Sequence, residues 1–401
     1  MGAAWADTPA PAPSSSSGDA LPGVSQVRRD TSGKPAGCLP ASAKGTHLTP
    51  WPQTFLRPDR VWQLSRGDGV TVAVLGSGLG DGSGLLAGRT DFAPRLDGAA
   101  DPAHDCVGHG SFLAGLIAAD RRDGTGFSGL APHARVLAVG VTDDTGATTA
   151  DRLAQGITAA ADRGARVIAV GVTVPEGNDA LAGAVRRARA KGALIVAPAA
   201  PDTAPGAQTK PAPVYPSAYP EVLAVRDLGP AGALPENAAV GGRVDLAAPG
   251  DAVTGPGPAA GGYYTGAGPS FATAFVAGTA ALVLGYRPAL TADQLTARLE
   301  ATAYRPGGPV PDPQLGYGTV DLVSAVTSTI DHETSPGPHP TAPTTSALAM
   351  PPGRPTSEAP AQATAVALTA LGTIGLVAIA GAVAPRGRAR RWQPAKADDA
   401  S

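Results

Sequence analysis

Residues 266–284 read GAGPSFATAFVAGTAALVL, a glycine-rich turn that runs directly into a long apolar helix. The turn places Ser270 at the first helical position, where its backbone N–H has no partner inside the helix and points outward beside the hydroxyl. The helix dipole favours negative charge at the same point. Ser270 can therefore be interpreted in two ways. Its hydroxyl could be a nucleophile that lies beside a binding site for the oxyanion formed by its attack, or it could simply cap the helix.

Apolar, β-branched runs alternate with amphipathic stretches on either side of this helix. Strands are predicted at residues 70–75, 135–141, 166–172, 193–197, 222–225 and 244–247, and helices at 111–119, 149–163, 179–190, 270–284 and 291–303. Near-continuous hydrophobic strands separated by helices are typical of a parallel sheet covered on both faces. The pattern predicts one α/β domain over residues 50–327, with a doubly wound parallel sheet and helices on both faces.

Composition narrows the possible functions. The chain has 401 residues, a formal net charge of -2 and only 16% charged residues, with no long basic run outside the extreme C-terminus. A nucleic-acid partner is therefore not expected, because little positive charge is available to neutralise phosphates. The two cysteines are too few for a disulfide scaffold and are not spaced for zinc, which leaves one bridge or two inert thiols.

The N-terminal residues 1–23 are predicted to be a signal-peptide remnant. Ala4 and Ala6 form a small-x-small pattern of the kind that signal peptidase recognises, ahead of a stretch rich in proline and serine. A plain disordered N-terminus is the alternative interpretation. Residues 24–49 are then an N-terminal extension of the domain.

The C-terminal region is predicted to anchor the chain in a membrane. Residues 363–384 read ATAVALTALGTIGLVAIAGAVA, long enough as a helix to cross a bilayer, although a buried core helix is the alternative. Four arginines follow in residues 385–401, which the positive-inside rule places in the cytoplasm, with the main domain outside. Residues 328–362, rich in proline, threonine and serine, become a linker. An extracytoplasmic location favours a Cys38–Cys106 disulfide over free thiols.

Two further motifs could take part in chemistry. Residues 108–111 read GHGS and lead into an apolar helix, which leaves room for a group to approach His109. Residues 72–78 read VAVLGSG, a strand that stops at a glycine turn on the edge of the sheet where α/β sites gather. A lone histidine is more often structural, so the GHGS motif is weak evidence by itself.

These segments, in this order, resemble the subtilisin-like serine proteases, or subtilases. Counterparts of their motifs include RGDGVTVAVLGSG, GHGSFLAGLIAA, GLAPHARVLAVGV, VDLAAPG and GPSFATAFVAGTAALV. The chain is more narrowly similar to the mycosins, membrane-anchored subtilases associated with type VII secretion in actinobacteria. PWPQ at residues 50–53, VWQLSRGDGV at 61–70, the cysteine pair and the proline-rich linker with its span support this.

The resemblance implies a subtilisin-like fold and a serine-type endopeptidase site without a cofactor or metal. His109 matches the catalytic histidine and Ser270 the nucleophile. The implied partners are membrane components of a type VII secretion system, with a peptide possible in the cleft.

The chain departs from the family beside the chemistry. Gly76 stands where the family has the catalytic aspartate, and Pro201 where it has the oxyanion asparagine. Pro269 replaces the usual threonine, and residues 167–172 read VIAVGV where a polar cleft strand is expected. In subtilisin, loss of the aspartate alone lowers turnover about 3 × 10⁴-fold, and loss of the asparagine on the order of 10²–10³-fold.

The favoured hypothesis is therefore a catalytically impaired pseudoprotease that acts as an extracytoplasmic scaffold. The alternative is an active serine endopeptidase that uses Ser270 and His109 as a dyad or with a relocated acid, Asp81 or Asp105 being nearest in sequence. A dinucleotide fingerprint at residues 82–87, GSGLLA, fails because no helix follows the strand directly. A metal site on His104 and His109 lacks further ligands at suitable spacing.

Overall fold

The computed structural model describes residues 20–330, except residues 30, 31, 33, 99, 100, 123, 203–211, 236–241, 260 and 261. The described residues belong to one compact unit that ends at Ser335. The predicted membrane span at 363–384, the tail at 385–401, most of the linker at 328–362 and most of the signal-peptide remnant at 1–23 lie outside the described residues.

A seven-stranded parallel sheet forms the centre of the domain, with strand order β3-β4-β2-β5-β6-β7-β8. These strands are β2 (Thr71–Gly76), β3 (Thr90–Phe92), β4 (Arg135–Gly140), β5 (Val167–Val170), β6 (Leu194–Pro198), β7 (Val222–Leu228) and β8 (Leu246–Pro249). The predicted parallel sheet is confirmed. β7 continues three residues beyond its predicted end, and β8 begins two residues later than predicted.

Helices cover both faces of this sheet. They are α1 (Trp51–Leu56), α2 (His109–Ala118), α3 (Ala150–Asp162), α4 (Asp179–Ala190), α5 (Pro269–Tyr286), α6 (Ala292–Ala301) and α7 (Leu322–Thr327). Helices α2 and α5 pack in one layer, and α3 and α4 in the other. Alternation along β2 follows the pleat: Val72 and Val74 face the first layer, whereas Ala73 and Leu75 face the second. Strands buried on both faces explain why their sequence is continuously apolar.

Helix α5 runs through the core. It is the one helix among the described residues that is long and apolar enough to cross a membrane, but 89% of its apolar window is buried inside the domain. The length and apolar composition of α5 are therefore those of a central core helix. Its Gly278 packs directly on Leu130, since a Cβ at that position would lie 3.0 Å from the leucine Cβ.

A small three-stranded sheet joins the N-terminal extension to the domain. Its order is β1-β10-β9, with β1 (Gly23–Val24) parallel to β10 (Tyr263–Gly266) and β9 (Val253–Pro256) antiparallel to it. The extension is also tied to the loop before α2 by the Cys38–Cys106 disulfide, which confirms the predicted pairing. Beside it, the Leu39 N–H donates to the Cys106 carbonyl at 2.8 Å.

Two arginines hold the end of the domain where α7 stops. The fully buried Arg298 donates to the carbonyls of Ala325 at 2.7 Å and Ser328 at 2.9 Å. Arg287, which follows α5, donates to the same Ser328 carbonyl at 3.1 Å. The last residues of the domain are thereby bonded to α5 and α6, not only packed on them.

Candidate active site

The C-terminal ends of the sheet strands bring four residues together. Gly76 ends β2, His109 begins α2, Ser270 lies in the first turn of α5, and Asp202 follows the end of β6 by four residues. Each parallel strand ends at the same edge of the sheet, so loops that are far apart in sequence converge there. The predicted site residues His109, Ser270 and Gly76 all lie at this edge.

Asp105 fixes the start of α2. Its carboxylate accepts hydrogen bonds from the backbone N–H groups of Gly108 at 2.7 Å and Ser111 at 2.9 Å, and from the Ser111 hydroxyl. These bonds satisfy helix N–H groups that have no partner within the helix. Asp105 is buried, at 7% exposure, and its carboxylate is bonded to the start of α2.

The imidazole of His109 and the hydroxyl of Ser270 are in direct contact. His109 Nε2 lies 2.8 Å from Ser270 Oγ, and both residues are essentially inaccessible to solvent, at 1% and 0% exposure. The ring of Phe271 packs edge-on against the imidazole, with centroids 5.2 Å apart. This is the contact that a histidine base and a serine nucleophile require.

A carboxylate that the sequence analysis missed, Asp202, binds the same two residues. Asp202 Oδ1 accepts from the backbone N–H of Ser270 at 3.0 Å, and Oδ2 accepts from the Ser270 hydroxyl at 2.5 Å. Oδ2 also lies 3.1 Å from His109 Nε2. The acid therefore sits on the reactive side of the imidazole, directly over the start of α5.

The three contacts among these atoms determine where the protons lie. An ionised carboxylate only accepts, and the serine hydroxyl has one hydrogen to donate. The contact from Ser270 Oγ to Asp202 Oδ2 is the shortest of the three, so we assign the hydroxyl hydrogen to it. His109 Nε2 must then donate, to Oγ and Oδ2, because neither oxygen has a further hydrogen for it.

The opposite side of the imidazole has no orienting acid. His109 Nδ1 is buried and has no hydrogen-bond partner among the residues that the structure describes. Gly76, which the sequence resemblance matches to the family's aspartate, has no side chain to offer. A Cβ built on Gly76 would lie 3.6 Å from its nearest neighbour, the Gly110 Cα, which is ordinary contact. The backbone therefore still has room for the start of a side chain at this position.

A second buried acid lies behind the site. Asp227, near the end of β7, is 4% exposed, and burial raises its pKa to about 6, with a further rise from the negative charge of Asp202. Desolvation penalises the charged form of a carboxyl group, and a nearby like charge does the same. An acid whose ionisation is disfavoured by burial and by the charge of Asp202 thus lies at this edge of the sheet.

The other candidate acids and ligands are placed elsewhere. Asp81 accepts from the Ser83 hydroxyl and the Leu86 N–H, within its own loop. Neither Asp81 nor Asp105 forms a hydrogen bond with His109 among the described residues. His104 lies near both cysteines, but Cys38 and Cys106 are bonded to each other, so this group lacks free thiols for a metal.

Asp202 could have been found from its place in the chain. It follows Pro201, the position of the family's oxyanion asparagine, at the end of a strand whose neighbours end in the same region. The acids nearest in sequence to Gly76 and His109 are Asp81 and Asp105. The acid that reaches His109 is instead the residue directly after Pro201.

Comparison with known proteins identifies the family of this chain. Residues 67–318 match the Subtilase family of peptidases, and the chain therefore belongs to the subtilase family. Mycosin-3 of Mycobacterium tuberculosis is 32% identical over 88% of this chain and 87% of its own length, which makes the mycosins the type within that family that this chain matches.

Solved structures give the same result. The crystal structure of MycP1 from the ESX-1 type VII secretion system matches with a TM-score of 0.66 and 28% identity, over 79% of this chain and 94% of that one. A chain in the structure of an intact ESX-5 inner membrane complex matches with a TM-score of 0.65 and 26% identity, over 91% of this chain and 97% of that one.

Proposed function

We propose that this protein is a membrane-anchored, mycosin-type component of a type VII secretion system that works as an extracytoplasmic scaffold and is catalytically impaired. The similarity to MycP1 and to a chain of the ESX-5 inner membrane complex supports the association with secretion machinery. Its partners would be membrane components of that machinery. Residues 363–384 would form the single span, with the C-terminus in the cytoplasm.

One observation supports the loss of catalysis above all others: no carboxylate of the described residues holds His109 Nδ1. In a Ser-His-Asp site the aspartate keeps the proton on Nδ1, so that Nε2 can accept the serine proton. Here Gly76 leaves Nδ1 without that partner, and Asp202 attracts the proton to Nε2. The imidazole is then a donor toward Ser270, which is the reverse of a general base.

The oxyanion side is also altered. Pro201 has neither the amide side chain nor a backbone N–H with which to stabilise a tetrahedral intermediate. The backbone N–H of Ser270, the remaining donor from α5, is already bonded to Asp202. Both sources of transition-state stabilisation that the family uses are therefore removed or occupied.

One contact supports the alternative, an active endopeptidase: His109 Nε2 lies 2.8 Å from Ser270 Oγ. It requires Nε2 to carry a lone pair, which the nearby carboxylate opposes. A relocated acid at Asp81 or Asp105 does not provide this, because both carboxylates are committed to backbone N–H groups of their own loops.

Labelling with a fluorophosphonate probe tests the loss of catalysis. We expect no labelling of the unaltered protein above the level of Ser270→Ala, which is the matched control. The Gly76→Asp, Pro201→Asn double variant carrying Asp202→Ala should gain labelling, because it restores both supports and removes the competing acid. Labelling of the unaltered protein that disappears in Ser270→Ala would refute the proposal.

The scaffold role has its own test in the host cell. Deletion of the chain should impair assembly of the secretion complex, whereas Ser270→Ala should leave assembly and secretion at the level of the unaltered strain. A secretion defect in Ser270→Ala, with the protein present at normal amount, would show that the hydroxyl is needed for function.

A further inference from the structure

The start of α5 is an anion-binding position that is already filled. Its first backbone N–H groups have no partner within the helix, and the helix dipole favours negative charge there. The carboxylate of Asp202 lies in this position, with Oδ1 bonded to the Ser270 N–H and Oδ2 to the Ser270 hydroxyl. We propose that Asp202 is an internal ligand of the oxyanion position and keeps this site closed to acyl substrates and to anionic ligands.

The geometry is that of a paired, two-point contact. The two oxygens of one carboxylate bind two donors of one residue, the N–H at 3.0 Å and the hydroxyl at 2.5 Å. The acid is also shielded, since its side chain is only 5% exposed. A buried carboxylate that accepts two hydrogen bonds and lies beside an imidazole is held far more firmly than a surface acid.

Gly268 makes this close approach possible. Its φ is 143°, a backbone conformation that side chains rarely adopt, and a Cβ built there would lie 2.3 Å from Asp202 Oδ1. Any other residue at 268 would push the carboxylate away from the start of α5. Gly268, two residues before the serine, therefore accommodates the acid side chain directly.

The Asp202 carboxylate opposes catalysis in two ways, because it fills the oxyanion position and because it is negatively charged. A tetrahedral intermediate would need to place its negative oxygen where the Asp202 carboxylate now lies, and two negative charges at that distance repel strongly in a dry site. This role of Asp202 rests on the proposed function, in which catalysis is lost. It adds a second cause of that loss, besides the missing acid at Gly76. Restoring the family's aspartate at Gly76 alone would then leave the site closed.

Phenylboronic acid is a suitable probe because its binding does not require turnover. The Ser270 Oγ lone pair forms a bond to the trigonal boron, which becomes tetrahedral and negatively charged, and no bond to boron breaks. The hydroxyl proton is released to water in the unaltered protein, because His109 Nε2 already carries a proton there. In Asp202→Ala, where no carboxylate holds a proton on Nε2, the hydroxyl proton moves to Nε2. The boronate oxygens then need the donors at the start of α5 that Asp202 occupies.

Titration of phenylboronic acid, followed by ¹¹B NMR for the tetrahedral signal, tests the proposal on the full chain. We expect Asp202→Ala to bind at least about tenfold more tightly than the unaltered protein, since removing a buried like charge favours an anionic adduct. Asp251→Ala is the matched control, because Asp251 lines the same cavity of about 590 Å³ as Asp202 but, in the described part of the chain, accepts its side-chain hydrogen bond from the Ala252 N–H and none from Ser270. It should bind like the unaltered protein.

Equal affinity of the unaltered protein and Asp202→Ala would overturn the proposal, as would an equal gain in Asp251→Ala. The tautomer of His109 provides a measurement on the unaltered protein, should Asp202→Ala fold poorly. In ¹⁵N spectra of histidine-labelled protein we expect the proton on Nε2 and a bare Nδ1. A proton on Nδ1 with a bare Nε2 would contradict the assigned contacts and overturn the role of Asp202.

The two proposals fail in different ways. Fluorophosphonate labelling of the unaltered protein at Ser270 would reject the loss of catalysis. An absence of labelling together with no gain of boronate binding in Asp202→Ala would reject only the closed oxyanion position, and would leave the missing acid at Gly76 as the reason for inactivity.

Discussion

Replacing Asp227 by asparagine should stabilise the protein at neutral pH. Asp227 is 4% exposed and its pKa is raised from 3.8 to about 6, first by burial and then by the charge of Asp202. A raised pKa in the folded state means that the folded protein binds this proton more tightly than the unfolded chain does. Stability from this group is therefore fully present below about pH 4 and is lost as pH rises through about 6.

The size of the effect follows from the shift. About two pKa units at 1.36 kcal/mol each correspond to about 3 kcal/mol of stability lost between pH 4 and pH 7. Asparagine has nearly the same shape and does not ionise. Asp227→Asn should therefore be more stable than the unaltered protein by up to about 3 kcal/mol at pH 7.5, and by much less at pH 4.5.

Urea unfolding of Asp227→Asn and of the unaltered protein at pH 4.5 and 7.5 tests this. The quantity to compare is the difference in free energy of unfolding between the two proteins at each pH. The pKa of Glu300 is also raised, to about 7, mainly because of burial. The unaltered protein therefore has a second source of pH-dependent stability. That source is common to both proteins and cancels in the comparison. Asp59→Asn, at an exposed site, serves as the control, with an expected change within about 0.5 kcal/mol.

An equal stability difference at the two pH values would refute this reasoning, because it would show that Asp227 has the same pKa in both states. A destabilised Asp227→Asn at pH 7.5 would refute it as well. That result would mean that the ionised carboxylate makes a favourable contact in the folded protein.

Three further variants probe the framework around the site, each by urea unfolding. Converting both Cys38 and Cys106 to serine opens a loop of 68 residues and should cost about 4 kcal/mol, and a loss under 1 kcal/mol would contradict an entropic tether. Arg298→Met should cost roughly 2 kcal/mol, because the buried Ala325 carbonyl loses the Arg298 donor and the Ser328 carbonyl keeps only Arg287. An unchanged midpoint would show that packing alone holds α7. Thr291→Ala removes the capping box of α6 and should cost about 1 kcal/mol, with the exposed Thr54→Ala as the unaffected control.

The sequence predicted the sheet and its main helices well because their signals are local. Runs such as residues 72–75 are continuously apolar, and Thr149, Asn178 and Thr291 each cap the helix that follows them. The short strands β1, β3, β9 and β10 were not predicted. Each has only two to four residues, too few for a local pattern to mark it, and β1 and β3 pair with strands from distant parts of the chain.

The candidate site was predicted in part for the same reason. His109 and Ser270 stand in motifs that their own flanking residues define, and the structure brings them together. Asp202 stands in no motif, and its contacts depend on a loop after β6 reaching the start of α5. Which acid meets an imidazole is a question of three-dimensional distance, and 93 residues separate Asp202 from His109.

The bonding of Arg298 and Arg287 to the Ser328 carbonyl has a mechanical consequence. Within the described part of the chain, a pull applied from the C-terminal side meets this carbonyl, which is shared by the guanidinium groups of Arg298 in α6 and of Arg287 directly after α5. Force is then passed to the central helices of the domain, and peeling of the short helix α7 requires these bonds to break together. A protein held by its C-terminal end would in this way keep its fold under load.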